Sequence, residues 1–202
     1  MRDISEQSFL KDVARHEMTV LRNDGLYRHV RFKRPETGCM RFDLITWPGY
    51  LCYTGDMGTF VFSRIADMFQ FFRARPSAEE RLPINLGYWH EKVDAEDRCD
   101  GAYKWSQEKF EKRVREYLDE HEASPSVRAQ AEHSVIRVPD GEHESMRAAI
   151  DFEHEGFRFQ DWWETNCHEY TYRFVWCCFA LVWGIRQFDA KTPNLEEAVS
   201  AN

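Results

Sequence analysis

An uninterrupted run of apolar side chains near the C-terminus constrains the fold of this 202-residue chain more than any other feature. The run extends from Phe174 to Trp183, with Arg173 directly before it and Arg186 shortly after it. A helix that spans a bilayer needs about 18 to 20 consecutive apolar residues, so this run is too short to do so. We therefore predict a helix over 169–188 that is buried on all sides within a globular core.

Four short segments in the first third of the chain alternate apolar and polar side chains, which is the period of a half-buried strand. Turns that contain Pro or Gly separate them, at 35–38, 47–49 and 55–58. Short strands joined by tight turns are typical of an antiparallel meander. The predicted strands are 26–33, 39–46, 50–54 and 59–62.

Apolar residues at helical spacing, together with capping residues and Pro or Gly stops, predict the remaining elements. Besides the helix at 169–188, the predicted helices are 5–22, 64–73, 106–121, 125–133, 142–155 and 159–166. The predicted fold class is α+β, with an antiparallel four-stranded meander near the N-terminus packed against several helices and a buried apolar C-terminal helix. We predict one domain over 1–190, strand-rich over 26–62 and helix-rich over 106–188, followed by a flexible tail at 191–202.

The net charge of −8 is unevenly distributed along the chain. Residues 1–75 contain 12 Lys and Arg against 9 Asp and Glu, whereas residues 76–202 contain 15 against 26. Direct binding to nucleic acid depends on Lys and Arg at the phosphates, so the acidic part of the chain argues against it. The same charge favours binding to a basic surface on another protein.

The cysteines and the N-terminal residues indicate the cellular compartment of the protein. The six cysteines include no C-x-x-C pair, and the first residues are polar and mixed in charge, unlike a secretory signal. We predict reduced thiols that pack as small apolar side chains, no membrane association, and a location in the cytoplasm of a host cell.

The turn at Gly55 to Gly58 allows two interpretations. Exposed Asp56 between flexible glycines could belong to a substrate or metal loop, or it could cap a hairpin turn through its side chain. The segment lacks the G-x-x-x-x-G-K-[ST] pattern of a phosphate-binding loop. We favour the turn.

Histidines and carboxylates concentrate between 140 and 169, and such residue types suit a divalent metal or a hydrolytic site. Their spacing does not, because neither H-E-x-x-H nor H-x-x-x-H occurs there. The neighbours Cys167 and His168 would point about 100° apart on a helix and would not face each other. We therefore predict no catalytic residue, no metal ligand and no cofactor.

The leading candidate for a binding site is the acidic segment 91–100. It lies within the stretch 74–104, which is predicted as loop with short elements. Trp89 and Trp105 flank this segment, and exposed aromatic residues beside acids make good anchors for a protein partner. The alternative is that these aromatic residues pack the meander against the helices. The predicted protein-binding residues are Trp89, Glu91, Asp94, Glu96, Asp97, Asp100 and Trp105.

Two stretches, Tyr53 to Arg64 and Tyr170 to Asp189, resemble segments of uncharacterised small proteins encoded by tailed phages and prophages. The resemblance implies an origin in a mobile element. It also implies a role like that of accessory phage proteins of this size, which often act on a host factor, for example as inhibitors of antiviral defence. The resemblance provides no catalytic residues.

Three hypotheses remain for the function. We favour a phage-encoded accessory protein that binds and inhibits a host protein with a basic surface through its own acidic surface. The target would be an antiviral-defence component, as for anti-CRISPR proteins, or another nucleic-acid-binding complex. The alternatives are a small hydrolase with an unrecognised site around Asp56 or the region His143–His154, and a virion assembly component. The oligomeric state is left open.

Overall fold

The computed structural model describes residues 4–73, 81–98, 101–137 and 141–192. The described chain packs as two compact units. The sheet unit comprises Met1–Ala102 and Tyr170–Asn202, and the helical unit comprises Tyr103–Glu169. The proposal of one α+β domain over 1–190 stays a prediction, and the structure adds that this range is organised around two hydrophobic cores.

A six-stranded antiparallel sheet forms the first unit, with its strands in the order in which they occur along the chain. The strands are β1 (Glu17–Asp24), β2 (Tyr27–Lys33), β3 (Phe42–Trp47), β4 (Tyr50–Gly55), β5 (Gly58–Ser63) and β6 (Val93–Glu96). The α+β class is confirmed, and strands β2 to β5 are the predicted meander. Strand β6 comes from the stretch that was predicted as loop with short elements.

The helices of the sheet unit are α1 (Glu6–Val13), α2 (Met68–Phe72), α3 (Leu86–His90) and α7 (Tyr172–Lys191). The predicted buried helix is confirmed as α7, although it begins at Tyr172, after the N-cap Thr171, and not at 169. It buries the rings of Phe174 and Trp176 completely. These rings pack on the sheet, with Trp176 edge-on to Phe42 at 5.5 Å between centroids. Residue Lys191 of the predicted tail ends α7, and residues 193–202 lie outside the described residues.

The predicted helix over 5–22 is wrong in its second half. Helix α1 ends at Val13, and the chain then extends into β1, which pairs along its length with β2. The chain turns from β1 into β2 at Gly25, which adopts a φ of +58°. The helical spacing of apolar residues was outweighed here by backbone pairing with the neighbouring strand.

The predicted helix over 64–73 is shorter than expected. Helix α2 begins after Asp67, whose carboxylate accepts a hydrogen bond from the Phe69 amide at 3.0 Å. Asp67 is therefore the capping residue of α2, and Ser63, directly before the predicted helix, still belongs to strand β5.

The helical unit contains α4 (Gln107–Glu120), α5 (Pro125–Ala131) and α6 (Glu142–Ile150). Two short strands, β7 (Tyr103–Trp105) and β8 (His168–Tyr170), pair where the chain enters and leaves it. A π-helical turn at Glu132–Ile136 extends α5 beyond its predicted end. The hydrophobic core of the helical unit consists of Phe110, Val114, Leu118, Ala123, Val127, Ala131, Val135, Ile136, Ala149, Phe152, Phe159, Trp162 and Cys167.

Two helix predictions in this unit need correction. Helix α6 ends at Ile150 instead of continuing to 155, since the chain turns back on itself through a bridge between His154 and Phe157. The predicted helix over 159–166 is only a single 3₁₀ turn, Trp162–Glu164.

Candidate protein-binding surface

The structure places Trp89 in the core of the sheet unit. Its ring is buried and meets Phe72 edge-on, with the ring centroids 5.0 Å apart. The alternative interpretation, in which this aromatic residue packs the fold together, describes its observed environment. As it stands, Trp89 does not offer a surface anchor.

The predicted acidic residues nearest to Trp89 are exposed. Glu91 forms an ion pair with its neighbour Lys92 at 3.1 Å. Asp94 lies on the edge strand β6, exposed to solvent. Asp94 is thus accessible to a partner.

The carboxylate of Glu96 stabilises the chain that follows β6. Its Oε2 accepts a hydrogen bond from the Ala102 amide at 2.7 Å and so holds the chain that leaves β6. Asp97 is half-buried and lies close to Gly58, at the β4–β5 turn. Asp100 lies outside the described residues.

Trp105 belongs to the other unit. It is half-buried, packs on Phe110 with ring centroids 5.3 Å apart, and donates from Nε1 to the Gln107 side-chain oxygen at 3.3 Å. The two tryptophans that flank the acidic segment therefore belong to separate units and do not form one site within either of them. The binding role of the seven predicted residues stays a prediction.

The turn at Asp56 is the tight connection between β4 and β5. Gly58 has a φ of +93°, a conformation that favours glycine. The Asp56 carboxylate accepts a hydrogen bond from the Met40 amide at 2.7 Å, and Met40 itself has a positive φ of 60°. The observed contacts of Asp56 thus brace the β2–β3 connection.

The histidines and carboxylates of the helical unit are dispersed. In the described ranges, no three His, Cys, Asp or Glu side chains converge in a way that could hold a metal ion. His168 Nε2 lies 3.3 Å from Glu142 Oε1, and a second grouping joins Ser126 Oγ to His154 Nε2 at 3.0 Å, with Glu155 3.9 Å from the same nitrogen. Cys167 is buried, and burial raises the pKa of its thiol, so the thiolate needed for nucleophilic attack is disfavoured.

A surface that the sequence analysis missed surrounds Trp163. The 3₁₀ turn buries the ring of Trp162 in the core of the helical unit and leaves Trp163 63% exposed. The adjacent acids Asp161 and Glu164 are exposed and have no ion-pair partner among the described residues. Trp162 and Trp163 are neighbours in a segment that was predicted as helix. The sequence does not indicate which of the two rings is buried.

An apolar cleft lies on α6, against which the Trp163 turn packs. The cleft has a volume of about 380 Å³ and is lined by Glu142, His143, Met146, Arg147 and Ile150. Ile150 is 46% exposed there. We call Asp161, Trp163 and Glu164 the Trp163 surface, and none of these three residues lines the cleft.

The charge of the chain follows the division into units. The helical unit contains 9 Lys and Arg against 16 Asp and Glu, a net charge of −7. The sheet unit contains 18 against 19, a net charge of −1. Nearly all of the net negative charge therefore belongs to the unit that exposes Trp163.

Comparison with known proteins gives no relative from which residue roles could be transferred. No protein-family model, no curated protein and no solved structure matches this chain. None of the helices in the described residues, α7 included, is both long and apolar enough to cross a membrane.

Proposed function

We propose that this chain is a non-enzymatic binding protein, encoded by a phage or prophage, that occupies and inhibits a host protein with a basic surface. A fitting target is a nucleic-acid-binding component of an antiviral-defence system in the host cytoplasm. The observation that carries the proposal is the exposed Trp163 between two acids that have no ion-pair partner among the described residues, in a unit with a net charge of −7.

The exposure of Trp163 is costly in water. A tryptophan ring has more apolar surface than any other side chain, and leaving it in solvent forgoes the free energy that its burial would provide. Tryptophan is also enriched among the few residues that supply most of the free energy of binding in protein interfaces. A partner that covers the ring would recover this energy.

The charge of the helical unit points to the chemistry of the partner. Carboxylates at high density attract a basic surface over a distance and raise the rate of association. A nucleic-acid-binding groove is such a surface, since its Lys and Arg residues are placed to meet phosphates. Carboxylates of the helical unit would stand where phosphates normally bind, and this would explain inhibition by competition.

The first test is an affinity pull-down from nuclease-treated host lysate, read by mass spectrometry, followed by calorimetry with the purified partner. We expect Trp163→Ala to weaken binding by about 2 kcal/mol or more, roughly 30-fold in Kd. Glu164→Lys should weaken it further at low salt. Asp161→Asn is the appropriate change at its position, because Asp161 has a φ of +51°, which asparagine tolerates well.

The matched control is Asp94→Lys, which reverses an exposed charge in the segment predicted from sequence. If the Trp163 surface binds, Asp94→Lys retains the partner and Trp163→Ala loses it. The opposite result would assign binding to the acidic segment at 91–100. A partner retained by both variants contradicts the proposal for both surfaces.

One contact favours the hydrolase alternative: Ser126 Oγ lies 3.0 Å from His154 Nε2. A histidine at this distance can accept the proton of a serine hydroxyl as the oxygen attacks a substrate. The test is covalent labelling by a fluorophosphonate, in which the serine oxygen displaces fluoride from phosphorus. Labelling that is lost in Ser126→Ala with the fold intact would support an enzyme, and absence of labelling in the unmodified protein would remove this alternative.

A further inference from the structure

A pocket of about 420 Å³ lies in the sheet unit, beside the connection from α1 to β1 and the connection from β2 to β3. Residues 14–17 and 34–37 line it. Pockets that hold small molecules have volumes of about 300 to 1,000 Å³, so this one is large enough for such a ligand. It is formed by other residues than the Trp163 surface.

His16, which lines the pocket, has one ring nitrogen without a hydrogen-bond partner. Its Nε2 lies 2.8 Å from the carbonyl oxygen of Met40, and because a carbonyl only accepts, Nε2 carries the hydrogen. Nδ1 is buried and has no partner among the described residues. In the neutral ring Nδ1 is an acceptor, whereas in the protonated ring it is a donor. Protonation would therefore give His16 an unused N–H group.

Arg34, on the second segment that lines the pocket, also has a buried group without a partner. Its Nη2 donates to the main-chain oxygen of Asp12 at 2.9 Å, whereas its Nε is buried and has no hydrogen-bond partner in the described chain. The N–H groups of a guanidinium bind carboxylate and phosphate oxygens most strongly. Four buried side-chain nitrogen or oxygen atoms lack a partner within the described ranges, and two of them belong to His16 and Arg34. Unmet hydrogen bonding is thus concentrated on residues of this pocket.

The charged side chains that line the pocket do not neutralise one another by contact. Arg15, Glu17 and Glu36 are exposed, and none of them forms an ion pair within the part of the chain that is described. Together with Arg34 they amount to two positive and two negative charges, so protonation of His16 would leave one positive charge in excess. A ligand with a single oxyanion group fits this balance. The two glutamates would repel a polyanion such as nucleic acid.

We propose that this pocket binds a small molecule through a carboxylate or phosphate group, with Arg34 and protonated His16 as the donors. The oxyanion would accept hydrogen bonds from Arg34 Nε and His16 Nδ1, the two atoms that lack partners. Solvent does not reach either atom, so an incoming oxyanion must draw both groups toward the pocket. The proposal rests on residues of the sheet unit, so it is independent of the proposed function.

Binding of the oxyanion should be coupled to uptake of a proton by His16. Without ligand, burial lowers the pKa of His16 below its ordinary value, and its hydrogen bond to a main-chain carbonyl opposes this shift. Among the nearby charges, Arg34 lowers the pKa and Asp12 raises it. The rings of Phe42 and Trp183, on β3 and α7, also face the imidazole and are uncharged. An anion beside Nδ1 stabilises the imidazolium, so a bound ligand raises the pKa and acid pH tightens binding.

NMR titration of the full chain with sodium sulfate or sodium acetate, at an ionic strength held constant with sodium chloride, tests the proposal. The readouts are the ring resonances of His16 and the Nε–H resonance of Arg34. Both anions stay ionised from about pH 5.5 to about pH 8, so a change in affinity over that range reports on the protein. We expect at least one of the anions to shift both sets of resonances. Its Kd should be at least about fivefold lower at about pH 5.5 than at about pH 8.

Variants then separate the two donors. Arg34→Lys keeps the positive charge but removes Nε–H, and it should raise the Kd at least about tenfold. His16→Gln removes the titrating group and should abolish the pH dependence. The matched control is Arg22→Lys, which changes an exposed arginine outside the pocket and should leave the affinity and its pH dependence unchanged.

The relative affinities of the two anions identify the ligand group. Tighter binding of sulfate assigns the pocket to phosphate-like groups, and tighter binding of acetate assigns it to carboxylates. The proposal is overturned if neither anion shifts the resonances of His16 and Arg34, if the affinity does not depend on pH, or if Arg34→Lys binds as well as the unmodified protein. The first two of these results come from the unmodified protein, so they do not depend on the variants folding.

Discussion

Arg28 and Asp67 form a two-pronged ion pair, with Nη1 to Oδ1 at 2.7 Å and Nη2 to Oδ2 at 3.1 Å. The pair joins strand β2 to the start of α2, and both side chains are largely shielded from solvent. The guanidinium also lies over the ring of Phe69, 4.9 Å from its centroid. Since Asp67 is also the capping residue of α2, one carboxylate holds the helix end and fixes it to the sheet.

Replacement of Asp67 separates these two contributions. We expect Asp67→Ala to lower the free energy of unfolding by about 2 to 4 kcal/mol, because it removes the cap and leaves Arg28 without its partner. Asp67→Asn keeps a capping oxygen and should cost less. Urea denaturation measures both, and Asp24→Asn at the exposed Arg22–Asp24 pair, expected to change stability by less than about 1 kcal/mol, is the control. Equal effects at Asp67 and Asp24 would contradict the role of this pair.

The acid stability of the protein should depend on Asp43 and Asp67. Burial by itself raises the pKa of each carboxyl, but hydrogen bonds from Arg31 and His29 to Asp43, and from Arg28 to Asp67, hold each pKa below its ordinary value. A carboxyl with a depressed pKa in the folded state stabilises that state above the unfolded pKa of about 3.9. This stabilisation is lost as pH falls through the lower pKa of the folded protein.

The measurement for this prediction is urea denaturation at a series of pH values from 6 downwards. We expect the free energy of unfolding to fall steeply below about pH 4. Asp43→Asn should be less stable at pH 6 and should show a shallower fall, because one titrating group is absent. An unchanged slope in this variant would show that Asp43 does not couple folding to protonation.

Gly184 allows α7 to approach the sheet closely. A Cβ atom at this position would lie 2.9 Å from Leu44 Cδ1 and 3.1 Å from Phe32 Cε2, both on buried side chains. We expect Gly184→Ala to destabilise the protein, because overpacking costs about 1 to 3 kcal/mol and the higher helix propensity of alanine offsets about 1 kcal/mol. Gly38→Ala, with nothing within 4 Å of the added atom, is the matched control and should be near neutral in thermal unfolding. A Gly184→Ala variant as stable as the control would mean that the helix can move away from the sheet at little cost.

Trp176 and Trp163 differ most in exposure to solvent, and we expect their replacement to have very different effects on the free energy of unfolding. Trp176 is fully buried, packs edge-on against Phe9 at 4.9 Å, and donates from Nε1 to Asp12 at 3.2 Å. Trp176→Ala should cost about 3 to 5 kcal/mol, whereas exposed Trp163→Ala should change the free energy of unfolding by less than about 0.5 kcal/mol. Chemical denaturation compares them directly. A normal melting temperature in Trp176→Ala would contradict the position of α7 in the core.

Helix α7 and the strands β2 to β5 could be predicted because their signals are local. The apolar run from Phe174 to Trp183 has no stable environment except a core, and alternation between tight turns specifies which side chains of each strand point inward. The confirmed α+β class depends on these elements. None of them required knowledge of which part of the chain lies next to which.

The binding residues were harder to predict because exposure is decided by packing. Trp89 was expected beside the acidic segment as an anchor, yet it packs on Phe72 in the core. Trp163 was not singled out, yet it is the most exposed large apolar side chain in the described part of the chain. Composition and spacing do not distinguish a tryptophan that fills a core from one that lies in solvent.

The sequence by itself determined the buried C-terminal helix, the four central strands and an excess of acid in the later part of the chain. Only the tertiary structure decided that Glu17–Asp24 is a strand, that the net negative charge belongs mainly to a separate helical unit, and that Trp163 and the β1 edge face solvent. The reason is physical. A strand is stabilised by pairing with a neighbour and a side chain is buried by distant parts of the chain, so neither is encoded within the segment itself.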